Sequence, residues 1–152
     1  MIKTFENFLN ESNNYGFTEI EPEKIHNVLD RLKSRDSILI ACHWVVYPYI
    51  QKLLHSIYND KLVVINCANL TANDKEFELF SENNKVFFLK DFHRTEPSIF
   101  PQLMNNIVDS KDSIFICAVN SSDKYYPLDD FVDSLTPAIQ DRFYKFYKVV
   151  ID

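Results

Sequence analysis

Glycine is nearly absent from this sequence, whose 152 residues include only Gly16. A chain of average composition and this length carries about ten glycines. A loop that wraps a phosphate in backbone amides needs residues that lack a Cβ or tolerate positive φ angles. Gly16 lies outside every segment where such a loop is expected, so the sequence predicts that no glycine-rich phosphate-binding loop is present.

Other features are missing as well. No stretch is apolar for long enough to span a bilayer, and the N-terminus lacks the apolar core of a secretion signal. The net charge is -6, and no basic stripe offsets it. We therefore expect no nucleic-acid partner, no membrane association and no secretion.

The three cysteines form no Cys-x-x-Cys pair. Cys42, Cys67 and Cys117 each fall in or at the end of a predicted strand. Buried, reduced thiols are the main interpretation. A zinc site that combines them with His43 is the alternative, but the spacing is not a recognisable ligand pattern. We therefore predict no metal site.

The residues that are present form apolar runs separated by helical patterns. These patterns predict strands at 37–42, 61–67, 85–89, 113–119 and 143–151, and helices near 21–34, 48–58, 73–80, 98–108 and 137–141. This order predicts one α/β domain over residues 17–152, with three layers: a mainly parallel, five-stranded sheet and helices on both faces. Ligands of such sheets bind at the carboxyl ends of the strands.

Three segments resemble the core of AAA+ ATPases, most closely the MoxR-like branch. Residues 85–97 are spaced like the strand, turn and helix of the family's Walker B region, and the strand at 114–120 ends in Asn120, where the family has a sensor asparagine. Residues 135–143, Leu-Thr-Pro-Ala-Ile-Gln-Asp-Arg-Phe, are similar to its Leu-x-Pro-Ala-hydrophobic-x-Asp-Arg-Phe signature. The resemblance covers about 21–152 and implies a P-loop-NTPase-like core.

The departures from the family concern the nucleotide site. The phosphate loop aligns with Cys42–Tyr49, where Pro48 replaces its lysine and Tyr49 its serine or threonine. Lys90 replaces the metal-binding aspartate, and Asp91 replaces the catalytic glutamate. These vestigial positions predict a domain that hydrolyses no ATP and carries no cofactor.

Two further expectations come from the C-terminal part of the sequence. The resemblance implies that Arg142 acts in trans on nucleotide bound by a neighbouring subunit, and a surface pair with Asp141 is the alternative. The sequence ends at Asp152, so we expect the helical lid of the family to be missing.

Some of these residues also have purely structural interpretations. Asp91 is placed to cap a helix or to pair with Arg94, and Asn120 is placed to begin a turn. The aromatic residues after the first strand either fill the vacated nucleotide pocket or form a protein-binding edge. This edge comprises His43, Trp44 and Tyr47, with Tyr49 beside them.

The first eleven residues resemble the capsid-targeting peptides on internal head proteins of tailed bacteriophages. Residues 1–11 read Met-Ile-Lys-Thr-Phe-Glu-Asn-Phe-Leu-Asn-Glu, and Leu9 and Glu11 match the hydrophobic-x-Glu site cleaved by prohead proteases. A plain amphipathic leader helix is the alternative. Residues 1–16 would then be a separate segment with its linker, and cleavage would leave Ser12 as the first residue.

The sequence as a whole predicts a catalytically inactive AAA+-like domain, encoded by a phage and acting by protein binding. Its location would be the host cytoplasm or the virion, and its partners phage structural proteins or AAA+ subunits. The oligomeric state is left open. The alternatives are a subunit of a hetero-oligomeric ATPase that binds no nucleotide and supplies Arg142 in trans, and a small-molecule-binding domain that uses the aromatic edge.

Overall fold

A computed structural model describes residues 37–72, 75–110, 112–120, 131 and 133–142, together with the backbone of residues 148–151. The predicted N-terminal segment, with its processing site at Leu9 and Glu11, lies outside the described residues, as does the helix predicted at 21–34. Among the described residues, no helix has the length and apolar character that crossing a membrane requires.

Strands and helices alternate along the described chain, as the hydrophobic pattern predicts. They are β1 (Ile38–Cys42), α1 (Tyr47–Tyr58), β2 (Leu62–Asn66), α2 (Glu76–Leu79), β3 (Val86–Lys90), α3 (Phe100–Asp109), β4 (Ile114–Asn120), α4 (Pro137–Arg142) and β5 (Lys148–Ile151). Pro48 lies in the first turn of α1, where the missing N–H leaves no helical bond unmade.

All strand pairs in the sheet are parallel. Strands β1–β4 are described with their side chains, and the backbone of β5 pairs with the outer side of β1, which gives the order β2-β3-β4-β1-β5. The predicted α/β architecture with a parallel sheet is therefore confirmed. The strands read as continuous apolar runs because both faces of the sheet are covered.

Two apolar cores lie on opposite faces of this sheet. The first lies beneath α1 and joins Ile40 and Phe88 to Leu54 of the helix. The second lies beneath α3 and α4, where the rings of Phe87 and Phe115 stack with their centroids 5.1 Å apart. Successive strand residues point to opposite faces, so neighbours such as Phe87 and Phe88 serve different cores.

Asparagine and aspartate occupy backbone positions that often require glycine. In the part of the chain that the structure describes, positive φ angles occur at Asn59, Asn84 and Asp91. Asn59 ends α1 with φ 51° and ψ -120°, and Asp91 follows β3 with φ 51° and ψ 45°. Both residue types tolerate left-handed backbone better than other non-glycine residues. This is how the described chain makes such turns without glycine.

The three cysteines are free and buried, which confirms the interpretation as core thiols. Burial raises the pKa of Cys67 to about 12 and raises the pKa of Cys42 and of Cys117 well above the ordinary thiol value. Among the described residues, no group of three or more His, Cys, Asp or Glu side chains is arranged to hold a metal ion.

Candidate binding site at the carboxyl edge of the sheet

The carboxyl ends of β1, β3 and β4 lie side by side at one edge of the sheet. After β1 the chain passes to the face covered by α1, whereas after β3 it passes to the face covered by α3. Ligands of open α/β sheets bind where neighbouring connections diverge in this way. We call the site formed there by His43, Trp44, Lys90, Asp91 and Asn120 the carboxyl edge.

The turn after β1 uses its backbone amides internally. The Val45 N–H donates to Nδ1 of His43 at 3.3 Å, and the Val46 N–H donates to the His43 carbonyl oxygen at 2.9 Å. The Tyr47 N–H donates to the carbonyl three residues earlier, and Pro48 has no N–H. Three consecutive amides at the position of a phosphate loop are thus occupied, and the fourth is missing.

The aromatic residues of this turn point in different directions. Trp44 is 57% exposed, whereas Tyr47 is 7% and Tyr49 4% exposed, in the core beneath α1. The Tyr47 ring packs edge-on against Phe88, with centroids 6.4 Å apart, and the His43 ring lies 5.7 Å from that of Trp44. The two tyrosines therefore fill space inside the domain, and Trp44 presents an accessible aromatic surface.

A hydrogen bond joins the first turn of α1 to the end of β3. The Tyr47 hydroxyl donates to Oδ1 of Asp91 at 3.0 Å. Burial, and then the charge of the Asp91 carboxylate, raise the pKa of the Tyr47 hydroxyl well above its ordinary value. The Asp91 carboxylate does not cap the following turn, Phe92–Arg94, so the capping interpretation is wrong. This carboxylate is directed toward α1 instead.

Lys90 and Asn120 complete the carboxyl edge. Lys90 lies two residues after Phe88 and therefore on the face of the sheet that α1 covers. It is half-buried, and Asn120 is also half-buried at the end of β4, where it is the register partner of Cys42. The vestigial positions predicted at Lys90, Asp91 and Asn120 thus lie along one edge, whereas Tyr49 lies in the core.

A groove of about 430 Å³ runs along the outer face of α1. We call it the α1 groove, and it is lined by Trp44, Tyr47, Pro48, Gln51, Lys52, His55 and Lys90. Sequence reasoning missed Gln51, Lys52 and His55. A signal for them exists, because positions 44, 48, 51, 52 and 55 follow the helical period on the side opposite the apolar stripe.

A second, smaller cavity lies on the other face of the sheet. Its volume is about 270 Å³, and the described part of its lining combines aromatic and proline rings with three polar side chains: His93, Thr95, Pro97, Phe100, Pro101, Phe131 and Ser134. The Thr95 and Ser134 hydroxyls donate to backbone carbonyls within this region. Sequence reasoning did not single out this cavity.

Arg142 lies away from the carboxyl edge. Its Nη2 donates to the carbonyl oxygen of Ser113, which directly precedes β4, and its guanidinium carbon is 5.4 Å from the centroid of the Phe115 ring. Burial lowers the pKa of the guanidinium, and nearby Asp112 opposes that shift. The guanidinium is therefore at the amino end of β4, whereas Asn120 is at its carboxyl end.

Comparison with known proteins shows a likeness in structure rather than in sequence. No family model matches the chain, and no curated protein matches it. RuvB from Thermotoga maritima, described as a Holliday junction branch migration motor, is similar with a TM-score of 0.62 and 16% identity over 88% of this chain and 46% of that chain. Two mutants of that RuvB give TM-scores of 0.60 and 0.59, again at 16% identity, over 88% and 86% of this chain and 47% and 44% of theirs.

The chain spans about half the length of these RuvB structures. At this level of identity the likeness concerns the fold alone. The structural relatives and the parallel sheet agree with the fold that the sequence resemblance implied, and the MoxR-like branch stays a prediction. This chain has an α/β fold with a parallel sheet that is similar to the AAA+ core of RuvB.

Proposed function

We propose that this chain is a binding module with an AAA+ fold, which recognises a protein partner at the carboxyl edge and hydrolyses no ATP. The observation that carries the proposal is the turn after β1. Phosphate binding at such a turn depends on several amides directed at the ligand. Here the amides of Val45, Val46 and Tyr47 donate within the turn, and Pro48 has none to offer.

The charges at the end of β3 support the same conclusion. A magnesium ion needs carboxylate or other oxygen ligands, and the residue at its expected position is Lys90. The next residue, Asp91, accepts a hydrogen bond from Tyr47, so its carboxylate is engaged with the side chain that fills the site. Binding Mg²⁺ with ATP would require this contact to break and the lysine to move.

The exposed tryptophan supports a role in protein binding. Trp44 is the only tryptophan of the chain, and more than half of its surface is accessible. Tryptophan is enriched among the residues that dominate the energy of protein interfaces. Its neighbour His43 and the half-buried Lys90 supply a polar rim around it.

Binding of Mg²⁺-ATP is tested by thermal denaturation of the full chain. A ligand that binds only the folded state stabilises it by about 2.7 kcal/mol when its concentration is 100 times its dissociation constant. We expect millimolar Mg²⁺-ATP to leave the melting temperature unchanged. A saturable increase, or phosphate release above the level of a heat-denatured sample, would contradict the proposal.

The partner surface is tested by site-specific cross-linking in the cells that produce the protein. A photoreactive phenylalanine analogue at position 44 should form one discrete cross-linked product. The same analogue at position 108 is the matched control, because Val108 is 40% exposed on α3, on the other face of the sheet. Equal products from both positions would argue against a specific role for the carboxyl edge.

A phage origin is part of the proposal and rests on residues 1–11. The chain would be a packaged virion component or an inactive partner in assembly. Mass spectrometry of purified virions is expected to detect the chain beginning at Ser12. Detection only in infected-cell lysate, with Met1 still present, would reject packaging and processing together.

A small-molecule site is a second candidate, because the α1 groove has a suitable size. Its volume of about 430 Å³ lies in the range of about 300–1,000 Å³ that is usual for ligand pockets. The trans-acting role of Arg142 has less support, since its guanidinium already contacts Ser113 and Phe115. Arg142→Gln would test that role: a partner's ATPase rate must fall while this chain stays folded.

A further inference from the structure

The α1 groove differs in charge from the chain around it. The whole chain has a net charge of -6. Among the residues that the structure describes, the titratable groups that line the groove, apart from the Tyr47 phenol, are Lys52, His55 and Lys90. No carboxylate is among the lining side chains that the structure describes. An anionic group in the groove therefore meets positive charge, whereas the protein as a whole repels polyanions.

Lys90 brings a positive charge from the end of β3 into the groove. It is half-buried at the end of β3, and no ion pair that the structure describes includes it. A partly desolvated ammonium attracts a carboxylate more strongly than a fully hydrated one, because the surrounding dielectric constant is lower. An anionic group that pairs with Lys90 therefore gains more Coulomb energy than it would at a fully exposed lysine.

One end of the groove is apolar and accessible. Trp44, Pro48 and the edge of Tyr47 line it, and Trp44 is the exposed member. From position 47 to position 55, α1 rises about 12 Å at 1.5 Å per residue, and the 3-10 turn Trp44–Val46 that precedes it adds about 6 Å at 2.0 Å per residue. An extended peptide of about five residues covers that length at 3.3 Å per residue.

We propose that the α1 groove binds a short acidic segment of a protein partner, with carboxylates at Lys90 and Lys52 and an apolar side chain against Trp44. This inference rests on the proposed function and adds the chemistry of the partner. A protein segment fits better than a polyphosphate, because the described lining of the groove includes no arginine and the backbone amides of the turn after β1 already donate within that turn. An extended nucleic acid is opposed by the net charge of -6 on the chain as a whole.

Because Trp44 is the single tryptophan of the chain, its fluorescence reports directly on binding in the groove. Trp44 emission should shift to the blue when an acetylated peptide Glu-Glu-Leu-Glu-Glu is added to the full chain, because the apolar side chain displaces water from the indole. Peptides with glutamine or lysine in place of glutamate are the matched controls and should bind at least about tenfold more weakly. Higher ionic strength should weaken binding of the acidic peptide, since salt screens exposed charges.

Charge reversal locates the contact. Lys90→Glu and Lys52→Glu should each weaken binding of the labelled acidic peptide, measured by anisotropy, by about fivefold or more. Lys61→Glu makes the same change in net charge outside the groove and should alter affinity by less than about twofold. If Lys90→Glu unfolds the chain, Lys52→Glu at an exposed position and the milder Lys90→Gln test the same contribution of the groove lysines to peptide binding.

The outcomes separate the two proposals. Equal binding of the acidic and the glutamine peptide, no emission change with the acidic peptide, or equal losses for Lys61→Glu and Lys52→Glu would overturn the acidic-segment inference and leave the proposed function standing. A saturable change in Trp44 emission with Mg²⁺-ATP would overturn the proposed function. Tighter binding of the lysine peptide would overturn the inference while supporting a protein-binding edge.

Discussion

The hydrogen bond between Tyr47 and Asp91 gives the most informative single substitution. Tyr47→Phe removes the hydroxyl that donates to Oδ1 at 3.0 Å and keeps the ring, which packs edge-on against Phe88. The change therefore isolates the link between α1 and the end of β3. It leaves the apolar core beneath α1 with nearly the same volume.

The magnitude follows from the charge and exposure of the acceptor. A hydrogen bond to a charged group contributes about 1.5–3 kcal/mol. Asp91 is half-buried, so water replaces part of the lost bond in the variant. We expect the free energy of unfolding to fall by about 1–2 kcal/mol, which corresponds to about 3–6 °C in melting temperature for a domain of this size.

Urea denaturation followed by circular dichroism measures this loss, and a double-mutant cycle assigns it. In an Asp91→Ala background, Tyr47→Phe should cost less than about 0.5 kcal/mol, because its partner is already absent. An equal loss in both backgrounds would refute the assignment to this hydrogen bond. A loss below about 0.3 kcal/mol in the wild-type chain would refute the link itself.

Three other perturbations have defined outcomes. The free energy of unfolding in reducing buffer should fall as the pH rises from about 8.5 toward 12, by at most about 1.4 kcal/mol per pH unit for each thiol. The reason is that thiols of the unfolded chain lose their protons in this range, whereas burial raises the pKa of Cys67 in the folded chain to about 12. Cys67→Ala should reduce the slope, and a flat profile would contradict the burial of the thiols. Leu103→Ala, at a fully buried site of α3, should lower the free energy of unfolding by about 2–5 kcal/mol, whereas Val108→Ala on the exposed side of the same helix should change it by less than about 0.5 kcal/mol. Asn59→Gly should raise the free energy of unfolding by up to about 1 kcal/mol, because φ 51° and ψ -120° suit glycine. A lower free energy of unfolding, measured by chemical denaturation, would argue against backbone strain at this position.

The positions of the strands could be predicted from the sequence because the strands are buried on both faces. Runs such as Ile38–Cys42 and Val86–Leu89 are continuously apolar. Short apolar runs of this kind between helical patterns are typical of parallel strands that are buried on both faces. The gathering of Lys90, Asp91 and Asn120 at one edge followed from the same pattern. Parallel strands place their carboxyl ends together.

Which of the aromatic residues after β1 are exposed and which are buried could not be predicted from the sequence. Trp44 and Tyr47 are three residues apart, yet one is exposed and the other is buried. Their directions depend on the short helical turn Trp44–Val46, which the hydrophobic pattern does not specify. The hydrogen bond from Tyr47 to the Asp91 carboxylate depends on the same turn, and the sequence suggested only a helix cap or a pair with Arg94 for this carboxylate.

The α1 groove could be predicted only in part. The polar face of α1 follows from helical spacing, but the contribution of Lys90 requires knowing that α1 lies over β3 as well as β1. That arrangement is a property of the sheet order β2-β3-β4-β1-β5. The position of Arg142 over Phe115 likewise depends on tertiary packing that no local motif encodes.

Isothermal titration calorimetry of the full chain with Mg²⁺-ATP tests the central claim most directly. The occupied amides after β1, the lysine at the metal position and the Tyr47 hydroxyl on Asp91 together predict no heat of binding up to millimolar nucleotide. A saturable isotherm with a sub-millimolar dissociation constant would contradict this account of the carboxyl edge.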